Sequence, residues 1–133
     1  MCCAIFSCQN FLQSTKKPKF EQIIHGMLPI INQVANEYKA SLQSLYGNEL
    51  AELVLFGSYA RGDYHEESDI DFAVVLQNPN TRASSEIPKT AVISSKLSLK
   101  YGLMVSSLHT SLQKKQTSMQ GVYQDIRREG IVI

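Results

Sequence analysis

The stretch that decides the fold runs from Leu53 to Leu76 and reads LVLFGSYARGDYHEESDIDFAVVL. It holds two short apolar runs, LVLF and FAVVL, on either side of a polar loop. Both runs are rich in β-branched or aromatic residues and are bounded by turn-forming residues, so they predict two buried strands, Leu53–Phe56 and Phe72–Leu76. The first run ends in Gly57-Ser58 and the second begins with Asp69-Ile70-Asp71, with ten residues between Ser58 and Asp69.

Two carboxylates stand at the entrance to the second predicted strand. Because successive side chains of a strand point to opposite faces, Asp69 and Asp71 are expected to share one face, while Ile70 points into the core. Two neighbouring carboxylates repel each other unless a cation lies between them. Hard oxygen ligands suit Mg²⁺ or Mn²⁺, and Mg²⁺ is usually held by one or two carboxylates plus substrate phosphates. The pair therefore predicts a divalent-metal site.

The loop after the first predicted strand has the features of a phosphate site. Gly57 lets a phosphate approach the backbone, and the Ser58 hydroxyl can donate to it together with free amides at the turn into a short helix. Arg61 follows one turn later and offers a bidentate fork for phosphate oxygens. A phosphate site beside a carboxylate pair predicts the handling of a nucleoside triphosphate.

These residues also carry a family resemblance. Gly57-Ser58, the ten-residue gap and Asp69-x-Asp71 before an apolar strand resemble the signature of the DNA polymerase beta-like nucleotidyltransferase superfamily. The strings Tyr59-Ala60-Arg61-Gly62 and Ser68-Asp69-Ile70-Asp71-Phe72 are similar to its minimal nucleotidyltransferase (MNT) branch, which is often the antitoxin of a pair with a HEPN-domain toxin. The resemblance implies an α/β or α+β fold with a small mixed sheet, flanking helices on one side, and the active site at the ends of these strands.

The resemblance implies a role for each site residue. Asp69, Asp71 and Ser58 would be catalytic, and the two aspartates would bind two Mg²⁺ (or Mn²⁺) ions. Gly57 and Ser58 would hold the β- and γ-phosphates, while Arg61 neutralises charge on the leaving pyrophosphate. The implied reaction moves AMP from ATP to a hydroxyl group of a partner protein, with a HEPN-family protein as the expected partner.

One feature departs from the family pattern. The family usually places a third carboxylate on the next strand, predicted here at Leu103–Leu108, which contains no acid. By register, Ser106 is the substituted position, and a serine is a weak neutral ligand that cannot act as a base at pH 7. The loop acids Asp63, Glu66 and Glu67 could reach the site instead. His109, just past the strand, is either a replacement base or a surface histidine.

Three functions therefore compete. The first is an AMP-transferring antitoxin, and the second is a catalytically weak or inactive antitoxin that neutralises its toxin by binding. The third is an aminoglycoside-type nucleotidyltransferase, for which the chain is short, since enclosing a small substrate needs more protein around the site. Size alone favours the first two.

Composition bounds the remaining possibilities. The chain of 133 residues predicts a single domain, 1–133, in which 1–19 is a loosely ordered tail holding all three cysteines. A net charge of +1 gives no case for general nucleic-acid binding, and no apolar run approaches the length of a membrane span. Cysteines that cannot pair fully and the lack of a basic signal region favour a cytoplasmic protein.

The rest of the chain predicts helices around one more strand. Helical spacing begins at Phe20 and ends at Gly47-Asn48, with a kink or split that Pro29 imposes near Met27–Leu28. Downstream, the pattern predicts a loop at Gln77–Ser85 and a helix at Ala83–Tyr101, which Gly102 ends. A further helical stretch is predicted at Ser111–Arg128, with Gly121 as a candidate break and with these apolar residues on one side: Leu112, Met119, Val122, Tyr123 and Ile126. The terminal segment Ile131–Ile133, after Gly130, is predicted to form an edge strand or to pack on the core.

Overall fold

The computed structural model describes residues 28–133, which form a mixed sheet flanked by helices. The predicted mixed α/β architecture is confirmed. The helices are α1 (Pro29–Tyr46), α2 (Ser58–Arg61), α3 (Ala83–Tyr101), α4 (Leu112–Thr117) and α5 (Gly121–Glu129), and a 3-10 turn covers Gly47–Glu49. The strands are β1 (Leu50–Phe56), β2 (Ile70–Leu76), β3 (Val105–Ser111) and β4 (Ile131–Val132).

The sheet has the strand order β3-β2-β1-β4. Strand β1 is antiparallel to both β2 and β4, whereas β2 and β3 are parallel. Both strands of the central stretch start earlier than predicted, and the register pairs Phe56 with Asp71. The end of β1 therefore lies beside the start of β2, and this places Gly57 next to Asp71.

The larger core lies on one face of the sheet, under α1 and α3. Phe72 is fully buried there, and its ring centroid lies 5.3 Å from that of Tyr38 on α1. The expected inward position of Ile70 is confirmed, since it is fully buried in this core. Its other members include Ile31, Val34, Ala35 and Leu42 of α1, Val74 of β2 and Leu97 of α3.

A smaller core covers the opposite face. Tyr123 and Ile126 of α5 pack there against Val54, Ala73 and Val75 of the sheet. The expectation that the helices lie on one side is therefore wrong. Helix α5 has its own apolar side, and the second face of the sheet is apolar enough to bury it.

Helix ends follow the glycines that the sequence singled out. Helix α1 begins with Pro29 in its first turn, where a missing N–H costs nothing, and ends at Gly47 with φ 57°. The predicted span of α3 is confirmed, and Gly102 ends it with φ 70°. The helical pattern from Phe20 to Met27 lies outside the described residues, as does the tail 1–19.

The last third of the chain differs from its predictions in two places. Strand β3 runs from Val105 to Ser111, further along the chain than the predicted Leu103–Leu108. The helical stretch predicted for Ser111–Arg128, with Gly121 as a candidate break, is two helices, because the chain turns at 118–120 and α5 begins at Gly121. The Ser111 side chain caps α4 by accepting from the Lys114 amide, and Arg127 donates to backbone carbonyls of Lys115 and Ser118, which stabilises the corner.

Because the chain turns between α4 and α5, two residues predicted to lie on the apolar side of this stretch are exposed to solvent. Met119 and Val122 are 77% and 38% exposed, so their predicted place beside Tyr123 and Ile126 is wrong. The terminal edge strand is confirmed, since β4 pairs with β1 and the Ile133 amide donates to the Leu53 carbonyl at 2.9 Å. Among the helices of residues 28–133, none combines the length and apolar composition needed to cross a membrane.

Candidate active site

Gly57 lies directly against the carboxylate of Asp71. It follows β1 with φ 79° and ψ −155°, a conformation that essentially only glycine adopts. A Cβ atom at this position would lie 2.4 Å from Asp71 Oδ2, which is too close for any side chain. Glycine therefore serves two needs here: the backbone must turn into α2, and the carboxylate must pack onto that turn.

Helix α2 is a single turn whose buried side chains attach it to the larger core. Tyr59 and Ala60 are buried in the larger core, and the Tyr59 ring stacks on Tyr64 with centroids 4.7 Å apart. The amides of Ala60 and Arg61 donate to the Gly57 carbonyl, which holds the turn closed. Ser58 is half-buried at its start. The buried tyrosine fixes the short segment that carries both Ser58 and Arg61.

The two aspartates interact electrostatically at the start of β2. Asp71 is half-buried, and its burial raises the pKa of its carboxyl group; the neighbouring charge of Asp69 raises this pKa further. Arg61 acts in the opposite direction and lowers the pKa of Asp71. The fold thus brings all three side chains into one electrostatic cluster, in which a cation would relieve the repulsion between the carboxylates.

Arg61 is held between two further carboxylates. Its Nε donates to Asp63 Oδ2 and its Nη1 donates to Glu129 Oε1, both at 3.1 Å. These two hydrogen bonds raise the pKa of the guanidinium. Sequence reasoning missed Glu129, because the residue lies 68 positions further along the chain and no local pattern links it to Arg61.

The comparison with protein families decides the identity of the fold. Residues 35–131 match the family model of the nucleotidyltransferase domain. The chain belongs to this family. Two proteins of Methanocaldococcus jannaschii, both named as putative protein adenylyltransferases, are 37% and 34% identical to this nucleotidyltransferase over 79 and 95 residues. The alignments cover 59% and 70% of this chain, and 77% and 93% of the two relatives.

A solved structure shares the fold. It is a chain of a toxin-antitoxin crystal structure with AMP-PNP, with a TM-score of 0.50 and 21% sequence identity. The match covers 71% of this chain and 68% of that chain. At this identity the likeness concerns the fold alone, and it agrees with the mixed sheet and flanking helices of this nucleotidyltransferase.

The third strand of this nucleotidyltransferase brings a serine to the aspartates. The parallel register of β2 and β3 pairs Asp71 with Ser106, which is exposed. Asp63, one of the loop acids considered as a replacement ligand, is bound to Arg61 instead. Within residues 28–133, no group of three or more His, Cys, Asp or Glu side chains is arranged to hold a metal ion. The carboxylates of Asp69 and Asp71 are hard ligands that could hold a metal ion at this site.

His109 has neither of the two positions considered for it. It lies within β3, in register with Val74, and is only 4% exposed, so it is not a surface histidine. It stands three residues after Ser106 and therefore on the opposite face of the strand from the site. Its Nε2 lies 2.9 Å from Thr90 Oγ1 of α3, and burial lowers the pKa of the ring. Both expectations for His109 are wrong, and it does not serve the aspartates as a base.

Proposed function

We propose that this nucleotidyltransferase moves AMP from ATP to a hydroxyl group of a partner protein, using Mg²⁺ or Mn²⁺, as the antitoxin of a HEPN–MNT pair. The observation that carries the proposal is the packing of the Asp71 carboxylate against Gly57, beside Asp69 and Arg61. In the reaction, the acceptor oxygen bonds to the α-phosphorus of ATP and the bond to the β-phosphate oxygen breaks. The products are an AMP ester, pyrophosphate and the proton of the hydroxyl group.

The donor set of the aspartates supports a divalent cation. Asp69 and Asp71 supply hard carboxylate oxygens next to each other, and the cost of bringing them together is relieved when a cation binds. Such an ion supplies charge neutralisation on the triphosphate and lowers the pKa of an attacking hydroxyl group. The same pair would hold the ion in place for this chemistry.

The protein side chains account for the phosphates. The absence of a side chain at Gly57 lets the Asp71 carboxylate pack onto the turn into α2, and the Ser58 hydroxyl at this turn can donate to a phosphate oxygen. Arg61 carries a planar fork of donors that suits the pyrophosphate leaving group. The names of the two Methanocaldococcus jannaschii relatives support AMP as the transferred group and a protein as the acceptor.

A second candidate function follows from Ser106. Because this serine, and not a carboxylate, lies beside Asp71, the nucleotidyltransferase fold supports an antitoxin that neutralises its partner by binding, with weak or no transfer. The two candidates share the same expected partner, and they differ in whether that partner gains AMP.

The first test is AMP transfer measured by intact mass. The protein is incubated with ATP and Mg²⁺, with and without the protein encoded beside it, and both masses are recorded. We expect the partner to gain AMP. Asp69→Asn and Asp71→Asn should each lower the rate by about 1,000-fold or more, because each removes a carboxylate ligand of the cation that would neutralise charge on the triphosphate.

A matched control is available on α5. Asp125 is an acid outside the site, where it accepts from Arg128 at 2.6 Å, and Asp125→Asn should leave the rate unchanged. Unchanged transfer by a folded double variant of Asp69 and Asp71 would contradict the proposal. A stable complex whose partner gains no mass would support the binding antitoxin in its place.

A further inference from the structure

The two carboxylates that hold Arg61 differ in their surroundings. Asp63 is two residues away in the loop, and its side chain is 63% exposed, whereas the Glu129 side chain is 12% exposed. An ion pair between solvent-exposed groups contributes little and is easily exchanged. A largely buried carboxylate loses hydration, so it depends on its partner and keeps it in place.

Glu129 is also the more firmly placed of the two. It is the last residue of α5, and Gly130 follows it in close contact with the sheet, since a Cβ atom there would lie 2.6 Å from Val54 Cγ1. Strand β4 begins at once and pairs with β1. Since β1 leads into Gly57, the backbone of Glu129 is fixed to the same strand that positions Gly57 and Ser58, the proposed phosphate-binding residues.

The two carboxylates accept hydrogen bonds from different nitrogen atoms of the Arg61 guanidinium group. Glu129 accepts from Nη1, and Asp63 accepts from Nε. A phosphate bound in the bidentate manner uses two parallel N–H groups along one edge of the guanidinium. The edge formed by Nε and Nη2 becomes available when Asp63 leaves, and Glu129 keeps its bond to Nη1 while this happens.

We propose that Glu129 is a positioning residue that aims Arg61 at the polyphosphate of the nucleotide, and that Asp63 is a stand-in anion which the phosphate displaces. The proposal deepens the proposed function and rests on it, because it assumes that Arg61 meets a nucleoside triphosphate. It assigns the two acids opposite effects on the same ligand: one supports binding and the other competes with it.

The signs of these effects separate positioning from plain electrostatics. If Glu129 acted only as a negative charge near the site, its removal would strengthen the binding of an anion. If it positions Arg61, its removal weakens binding although a negative charge is lost. A general loss of structure would weaken the binding of every nucleotide alike, with or without a polyphosphate.

The test is calorimetric titration with ATP and with AMP, each in the presence of Mg²⁺. We expect Glu129→Gln to weaken ATP binding about tenfold and Asp63→Asn to strengthen it about threefold, and AMP binding to stay unchanged in both. Asp125→Asn serves as the control for a lost acid elsewhere on α5 and should bind ATP like the parent protein.

Three outcomes would overturn the assignment. Glu129→Gln that binds ATP as tightly as the parent protein, or more tightly, excludes positioning. An equal loss of ATP and AMP binding shows a structural effect only. Unchanged ATP binding in Asp63→Asn excludes the stand-in role. If the parent protein itself bound no ATP, the proposed function would fail as well, so the two failures are distinguishable.

Discussion

The two faces of strand β2 serve different ends. One face carries Phe72 and Val74, both fully buried under α1 and α3. The other face carries Ala73 and Val75 under α5, but at its start it carries Asp71, which is half-buried against Gly57. Asp71 of the candidate active site and Phe72 of the core are thus neighbours on one strand.

The difference shows how a small domain can place charge next to a core. The apolar face stabilises the fold by removing side chains from water, whereas the Asp71 face brings a carboxylate to the strand end, where a like charge from Asp69 opposes it. The unfavourable arrangement is tolerated because the opposite face of the same strand holds the backbone in place. Substitutions on the two faces should therefore affect different properties.

The largest effect on stability is expected from Phe72→Ala. This change removes a fully buried ring that contacts Tyr38, and it should lower the free energy of unfolding by about 3–5 kcal/mol. Denaturant titration measures the change. Val132→Ala on the exposed side of β4 is the control and should cost less than about 1 kcal/mol. A cost below about 1 kcal/mol for Phe72→Ala would remove the distinction between the faces.

An intermediate effect on stability, with a large effect on activity, is expected from Gly57→Ala. The glycine conformation should cost about 2–3 kcal/mol, and the new Cβ atom must displace the Asp71 carboxylate. Since misplacing a reacting group can cost about 100-fold in rate, AMP transfer should fall by about that factor. Unfolding and transfer assays on the same sample separate the two effects.

Gly62→Ala supplies the control for the backbone alone. Gly62 has φ 90°, but a Cβ atom there meets nothing within 4 Å. It should lose about 1 kcal/mol of stability, because the left-handed conformation disfavours alanine, and it should keep its transfer rate. Equal loss of transfer in both variants would show that the contact between Gly57 and Asp71 is unimportant.

The smallest effect is expected from Ser106→Asp. A carboxylate beside Asp71 would add a third hard ligand, and Mg²⁺ or Mn²⁺ affinity should rise about tenfold in a calorimetric titration. Ser106→Asn has nearly the same size without the charge and should show a smaller gain. No gain with Asp would mean that the side chain at this position does not reach the ion.

Much of the site could be predicted from one local stretch. Gly57, Ser58, Arg61, Asp69 and Asp71 lie within 15 consecutive positions. Strand alternation placed Ile70 in the core, as the structure has it, whereas the pairing of Phe56 with Asp71 is known from the structure alone. The end of α3 was also predictable, because Gly102 follows its last residue and glycine readily adopts the left-handed conformation that ends a helix.

Other features depend on residues that are distant in the chain. Glu129 could not be linked to Arg61, nor Thr90 to His109, without knowing how α5 and α3 pack. The corner between α4 and α5 depends on hydrogen bonds from Arg127 to carbonyls 9 and 12 residues earlier, which helical spacing alone does not reveal.

The sequence by itself determined the family, the order of strands and helices in the central unit, and the electrostatic cluster of Arg61, Asp69 and Asp71, because these depend on local conformation and on alternation along a strand. Only the tertiary structure decided that helices cover both faces of the sheet, that His109 is buried away from the site, and that Glu129 holds Arg61. Those features arise from the packing of separate elements, in which side chains far apart in sequence compete for the same space and the same hydrogen bonds.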